Sequence, residues 1–316
     1  MTINECAALL SALDDVYLLT HERPDGDTLG SAVALCLGLR VLGKTAYVLP
    51  NPDLTPRLGC FAQSCISPSD SAPEGSALVA VDTATPERLP LPQRGLAAEV
   101  LLSIDHHPGE AWPGVETCVL TGCASTGEII YGILREMSVR ITPQIALPLY
   151  LAMATDTGCF RYSNTTPATH RITADLLDTG IDVTQLHREF FDTKSLPRFR
   201  IEGMMLDRAE FLHGGKVAIC PLTLEMQKLA GANEDDIDNI ASLPRQISGV
   251  LIGAVVKELG EELCKISVRT AKPFMANLIC AKLGGGGHVR AAGCEVALPL
   301  TAARRSIISA ISKELQ

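Results

Sequence analysis

The chain has 316 residues, with 27 Lys and Arg against 36 Asp and Glu, a formal charge of −9, and 4% aromatic residues. That length predicts two domains, each able to bury its own core. The acidic balance argues against sequence-independent binding to long nucleic acid, and no apolar run is long enough to span a membrane, so neither a long duplex nor a lipid bilayer is an expected partner.

Met1 to Leu10 carries Glu5 and lacks a basic stretch, so it does not read as a secretory signal. Val16 to Thr20 is a short apolar run ending at His21, and Thr28 to Leu42 follows as a helix that Gly43 stops. Pro50 to Pro56 and Ser67 to Gly75 read as loops. Strands are expected at Ala77 to Val81, ending at Asp82, and at Glu99 to Ile104, ending at Asp105. Helices follow at Ser125 to Glu136, where Ser125 and Glu128 have capping-box spacing, at Pro143 to Ala154, and at Thr166 to Thr179. Strands alternating with helices predict an α/β domain with a mainly parallel sheet and helices on both faces.

The pattern changes near Thr193 to Ile201, which suggests a first domain over 1–192, a linker over 193–202 and a smaller α/β C-terminal domain over 203–316. The second domain reads as strand Lys216 to Leu222, a helix from Thr223, helix Glu234 to Leu243, and strands Gly249 to Glu258 and Glu262 to Arg269. Helix Pro273 to Lys282, the glycine run Gly284 to Gly287, a strand near Cys294 to Ala297 and a helix Thr301 to Leu315 complete it. Residues 203–316 hold 13 basic and 12 acidic side chains, so the excess acid lies in the first domain. The eleven cysteines never form Cys-x-x-Cys and read as reduced thiols of a cytoplasmic protein without structural zinc.

Asp and His collect at element ends in the first domain: His21, Asp25 and Asp27, then Asp82, then Asp105-His106-His107, then Asp156. One Asp at a strand end is ordinary, and Asp-Gly-Asp is usually a turn. Several such ends without a lysine concentrate negative charge that a cation must offset. Carboxylates with a minority of imidazoles and no thiolate favour Mn²⁺, with Mg²⁺ or Co²⁺ next. A carboxylate shared by two ions sets them roughly 3.5–4 Å apart, the spacing used for in-line attack on phosphorus, and Asp82 is the expected bridge.

His21-x-x-Pro24-Asp25-Gly26-Asp27-x-x-Gly30-Ser31, Asp82, Asp105-His106-His107 and Asp156 together resemble, in order, the four motifs of the DHH phosphoesterases. Gly284-Gly285-Gly286-Gly287-His288-x-x-Ala291-Ala292-Gly293 resembles the glycine-rich signature of their DHH-associated C-terminal domain. The resemblance covers nearly the whole chain. The stretch Thr155 to Thr165 is similar to the bacterial branch that degrades very short oligoribonucleotides and dephosphorylates 3′-phosphoadenosine 5′-phosphate. It implies one ion on His21, Asp25 and Asp82, and a second on Asp27, Asp82, His106 and Asp156. It also implies substrate contacts from Arg269, Gly285, Gly286, Gly287 and His288, with the active site in the cleft between the domains. Asp105 would orient an imidazole, and His107 would face the scissile phosphate as a cationic donor or general acid.

The expected activity is hydrolysis of short RNA or linear dinucleotides to mononucleotides, by water that the ions activate for in-line attack. A cyclic dinucleotide, 3′-phosphoadenosine 5′-phosphate or a polyphosphate remain alternative substrates, and the oligomeric state stays open, a homodimer included. A noncatalytic nucleotide sensor would be expected to have lost a ligand, and none is lost.

Overall fold

Five apolar segments of the first half pair as parallel strands: β1 (Asp15–Leu19), β2 (Thr45–Val48), β3 (Ala77–Val81), β4 (Val100–Asp105) and β5 (Glu116–Val119). Their order is β2-β1-β3-β4-β5. They belong to a computed structural model that describes residues 1–109, 112–237 and 239–315. The chain divides into two compact units, Met1–Asp192 and Thr193–Gln316.

Alternate residues of each strand serve two cores. Val16, Leu18, Val79, Val81, Leu102 and Ile104 pack into one core, and Tyr17, Leu19, Leu78, Ala80 and Val100 into the other. The larger core receives α1 (Ile3–Ala12), α2 (Gly26–Val41), α3 (Pro56–Ala62), α4 (Thr126–Glu136), α5 (Pro143–Asp156), α6 (Pro167–Leu177) and α7 (Val183–His187). The smaller core is covered by 3₁₀ segment Leu91–Glu99 and by Trp112, whose indole N–H donates to Thr83 O at 2.7 Å. Helical segments thus lie on both faces of a parallel sheet.

Helix α2 is buried almost all round because α5 covers the side turned from the sheet. The two approach so closely that a Cβ on Gly30 would lie 2.4 Å from Pro148 O. Asp25, not Thr28, opens this helix: its Oδ1 accepts from the backbone N–H of Asp27 at 2.9 Å and of Thr28 at 3.1 Å.

The capping box expected at Ser125 and Glu128 does not form. The backbone N–H groups of Thr126 and Gly127 instead donate to the Asp27 carboxylate, and Glu128 Oε2 accepts from Ala124 N–H at 3.2 Å.

The second unit carries α8 (Leu196–Asp207), β6 (Glu210–Leu212), β7 (Val217–Leu222), α9 (Leu224–Ala230), α10 (Glu234–Ile237), β8 (Ile252–Gly260), β9 (Leu263–Thr270), α11 (Ala276–Ala281), β10 (Gly286–Gly287), β11 (Ala291–Val296) and α12 (Leu300–Ser312). Its sheet runs β10-β11-β9-β8-β7-β6, with β7 and β8 parallel and the other neighbours antiparallel among the described residues.

Within 193–202, residues 196–202 are helical, because Ser195 caps α8 through Arg198 N–H and Pro197 sits in its first turn. Two expectations need correction here. The helix expected over Glu234 to Leu243 is instead α10 followed by 3₁₀ segment Ile240–Gln246, which contains Pro244. The helix expected from Pro273 begins only at Ala276.

Candidate active site

The order β2-β1-β3 makes the gap between β1 and β3 a topological switch point. In open α/β sheets the crevice beyond the carboxyl ends of the strands at such a point receives ligands. His21 follows β1 by two residues, Asp82 follows β3 directly, and Asp105, His106 and His107 end or follow β4. Asp27 sits in the first turn of α2 and Asp156 ends α5. The close contact of α2 with α5 therefore brings the last two onto the same crevice.

Among the described residues, three groups present ligand atoms within 4.8 Å of one another: His21 with Asp25 and Asp82, Asp27 with His106 and Asp156, and Asp82 with His106 and His107. Asp82 belongs to two of them. Its Oδ2 lies 3.8 Å from His21 Nε2, and its Oδ1 lies 3.8 Å from His106 Nε2. Its backbone adopts φ 54°, a left-handed conformation that a non-glycine residue holds only under constraint from its surroundings.

The imidazoles are set by backbone carbonyls. His21 Nδ1 lies 2.7 Å from Glu22 O, and His106 Nδ1 lies 3.3 Å from Cys123 O. Each therefore donates from Nδ1 and turns Nε2 inward. His106 Nε2 stands 3.2 Å from Asp156 Oδ2 and 3.6 Å from Asp27 Oδ2, yet makes no hydrogen bond among the described residues. Burial pushes the His106 imidazole down to about 4, so it is neutral. A neutral, buried nitrogen lone pair facing carboxylate oxygens at these spacings is unsatisfied without an acid between them. Two ligands each about 2.1 Å from a cation at right angles lie about 3 Å apart. This donor set fits divalent cations.

Burial also lifts the carboxylic acids, and neighbouring carboxylates add to the effect. Asp82 rises to about 6, Asp156 to about 8, and Asp27 well above its ordinary value. Asp105 behaves differently. Burial would raise it, but hydrogen bonds from the His107 ring and backbone N–H outweigh that and hold it below the usual range. Its Oδ1 accepts from His107 N–H at 2.8 Å and His107 Nδ1 at 2.9 Å. The same bond, with the surrounding carboxylates, lifts His107 to about 9. His107 is thus cationic at neutral pH while His106, adjacent in sequence, is not.

Arg269, Gly285, Gly286, Gly287 and His288 form a second neighbourhood, within the second unit. Arg269 on β9 pairs with Ala291 on β11, and the backbones of His288 and Ala291 bond to each other at the turn that joins β10 to β11. Gly286 and Gly287 form the edge strand β10, and Gly284 lies in the turn before it. A Cβ on Gly285 would lie 2.2 Å from Gly293 O, and one on Gly287 2.8 Å from Ala291 O. Those two glycines answer to β11, whereas Gly286 has open space beside it.

Sequence reasoning missed Thr126. Its hydroxyl donates to Asp82 Oδ1 at 2.7 Å and its N–H to Asp27 Oδ2 at 2.8 Å. It gave no role to Ser31, which donates to Asp27 Oδ1 at 3.0 Å, and missed Asn51, which donates to His21 O at 2.9 Å. Ser125-Thr126-Gly127 at a helix start was the only available signal for Thr126, and it reads equally well as an ordinary cap.

A parallel α/β unit with an Asp–His cluster at its switch point, followed by a mixed-sheet unit with a glycine-rich hairpin, defines a recognised class. The chain belongs to the DHH family: residues 15–153 match the DHH family N-terminal domain and residues 215–316 the DHHA1 domain. Among its relatives is the bifunctional oligoribonuclease and PAP phosphatase NrnA of Thermus thermophilus, 33% identical over 312 residues, covering 98% of this chain and 93% of that protein. The Bacillus subtilis protein of the same name is 26% identical over 297 residues, covering 92% of each. A crystal structure of an exopolyphosphatase-related protein from Bacteroides fragilis superposes with a TM-score of 0.87 at 26% identity, covering 98% of this chain and 95% of that one.

Proposed function

We propose that the chain is a two-ion phosphoesterase that hydrolyses short oligoribonucleotides and linear dinucleotides to mononucleotides, and 3′-phosphoadenosine 5′-phosphate to AMP. The observation that carries the metal chemistry is the bare, buried Nε2 of His106 facing the carboxylates of Asp27 and Asp156. Relatives named as oligoribonuclease and PAP phosphatase, similar over nearly the full chain, support the substrate class.

In this reading His21, Asp25 and Asp82 hold one ion, and Asp27, Asp82, His106 and Asp156 the other. Mn²⁺ suits a hard donor set with two imidazoles. Bound there, the ions polarise the phosphoryl oxygens and acidify the attacking water. The protein's own groups do the rest. Asp105 holds the His107 ring by Nδ1, so His107 presents its Nε2 side to the substrate as a cation and, on bond cleavage, gives its proton to the leaving oxygen. Arg269 offers a forked donor and His288 a further one to the phosphate of the next nucleotide.

A panel of pApA, longer oligoribonucleotides, 3′-phosphoadenosine 5′-phosphate, cyclic di-AMP and polyphosphate, assayed with Mn²⁺ and resolved by chromatography, tests this. Mononucleotide release from pApA and from the shortest oligomers is expected. Turnover of polyphosphate or cyclic di-AMP in preference to these would overturn the substrate assignment.

A further inference from the structure

We propose that Thr126 is a positioning residue that fixes the separation of the two ions by tying Asp82 and Asp27 to one rigid helix start. The inference rests on the two-ion reading above and adds a residue that is itself no ligand.

Thr126 is fully buried and opens α4. Its hydroxyl carries one proton, and that proton is committed to Asp82 Oδ1 at 2.7 Å. Its backbone N–H, at 2.8 Å from Asp27 Oδ2, acts with Gly127 N–H, at 3.0 Å from Asp27 Oδ1. Backbone donors in a helix cannot rotate, and a β-branched side chain is stiff about χ1. Both carboxylates are therefore indexed to one body from elements far apart in sequence.

The two need such a reference. Asp27 and Asp82 are nearly inaccessible to solvent and repel each other. Asp82 stands on a left-handed backbone. The positive end of α4 favours an anion at Asp27. The hydroxyl helps to set the plane of the Asp82 carboxylate, so that Oδ2 faces His21 while Oδ1 faces His106 and His107. Without the hydroxyl that plane would lose its hydrogen bond from α4 although every ligand remained.

The test uses the full chain and Mn²⁺ alone. The wild type is expected to bind two ions and to show the electron paramagnetic resonance spectrum of an exchange-coupled pair. Thr126→Val keeps the shape and both backbone donors, and removes only the hydroxyl. It is expected to bind one ion about 10- to 100-fold more weakly and to show isolated-ion signals in place of the coupled spectrum. Thr126→Ser restores the coupling. Should the valine variant misfold by circular dichroism, Thr126→Ala makes the same comparison. A coupled spectrum with both affinities intact in the valine variant, or no recovery in the serine variant, overturns the proposal. A wild type that binds a single ion would instead bring down the two-ion reading beneath it.

Discussion

Asp82 combines membership in two candidate ligand groups, near-complete burial and a left-handed backbone. One carboxylate that serves two cations cannot be replaced by water at equal charge. Asp82→Ala is therefore expected to lower phosphodiesterase turnover by several orders of magnitude while the chain still folds. Turnover near wild type with metal content unchanged would remove Asp82 from its role. Asp82 stood out as a candidate in the sequence because an apolar run ended at an isolated Asp, and Asp105-His106-His107 because such a triplet after a strand is uncommon. The opposite charge states of the two imidazoles were not legible. They depend on which ring nitrogen meets a carbonyl and which meets Asp105, a matter of a few ångströms decided by tertiary packing.

The elements that assemble the site are held by close packing as much as by hydrogen bonds. A methyl group at Gly30 would meet Pro148 O at 2.4 Å and crowd Ala152. Gly30→Ala is expected to force α2 from α5 and destabilise the protein by about 1–3 kcal/mol, read as a lower urea midpoint. Asp27 and Asp156 ride on those two helices, so Mn²⁺ affinity should fall as well. An unchanged midpoint would mean that the helices yield at no cost. Most of these helices were readable from period and breakers. Strands β2 and β5 were not, since each is four residues long at a sheet edge and gives too short a period. The glycine run was recognised as special, but its packing reason emerged only from the register of β10 on β11.

Across the whole molecule, metal and proton binding are linked. The native, metal-free protein holds protons on Asp156 and Asp82 that an unfolded chain releases near pH 4, because the native values are raised to about 8 and about 6. Its stability should therefore fall as pH rises from about 4 to about 8, since the native state binds more protons in that window. Cations need the ionised acids, so Mn²⁺ binding should expel protons, more at pH 6 than at pH 9. Calorimetry in buffers of differing ionisation enthalpy measures this, and a proton count of zero at pH 6 would contradict it. Chelation by EDTA should abolish activity, with Mn²⁺ restoring it better than Zn²⁺ or Ca²⁺. In the second unit, Arg269→Ala and His288→Ala should reduce kcat/KM for a dinucleotide by about tenfold to a few hundredfold, through KM. Bis-p-nitrophenyl phosphate, which lacks a second nucleotide, should be affected less. Equal losses on both would place these residues elsewhere in the reaction.

The candidate ligands are spread from His21 to Asp156 and arrive from five secondary-structure elements or their adjoining loops. Such a constellation has a history in time as well as a place in space. It is complete only once β1, β3 and β4 have paired and α2 and α5 have docked, so no early intermediate can chelate. An ion bound there would act as a latch on a finished unit rather than as a template for one. Mn²⁺ should slow unfolding in urea and leave the refolding rate unchanged. Stopped-flow measurements that show faster refolding with Mn²⁺ would reverse that order and make the cation a nucleus.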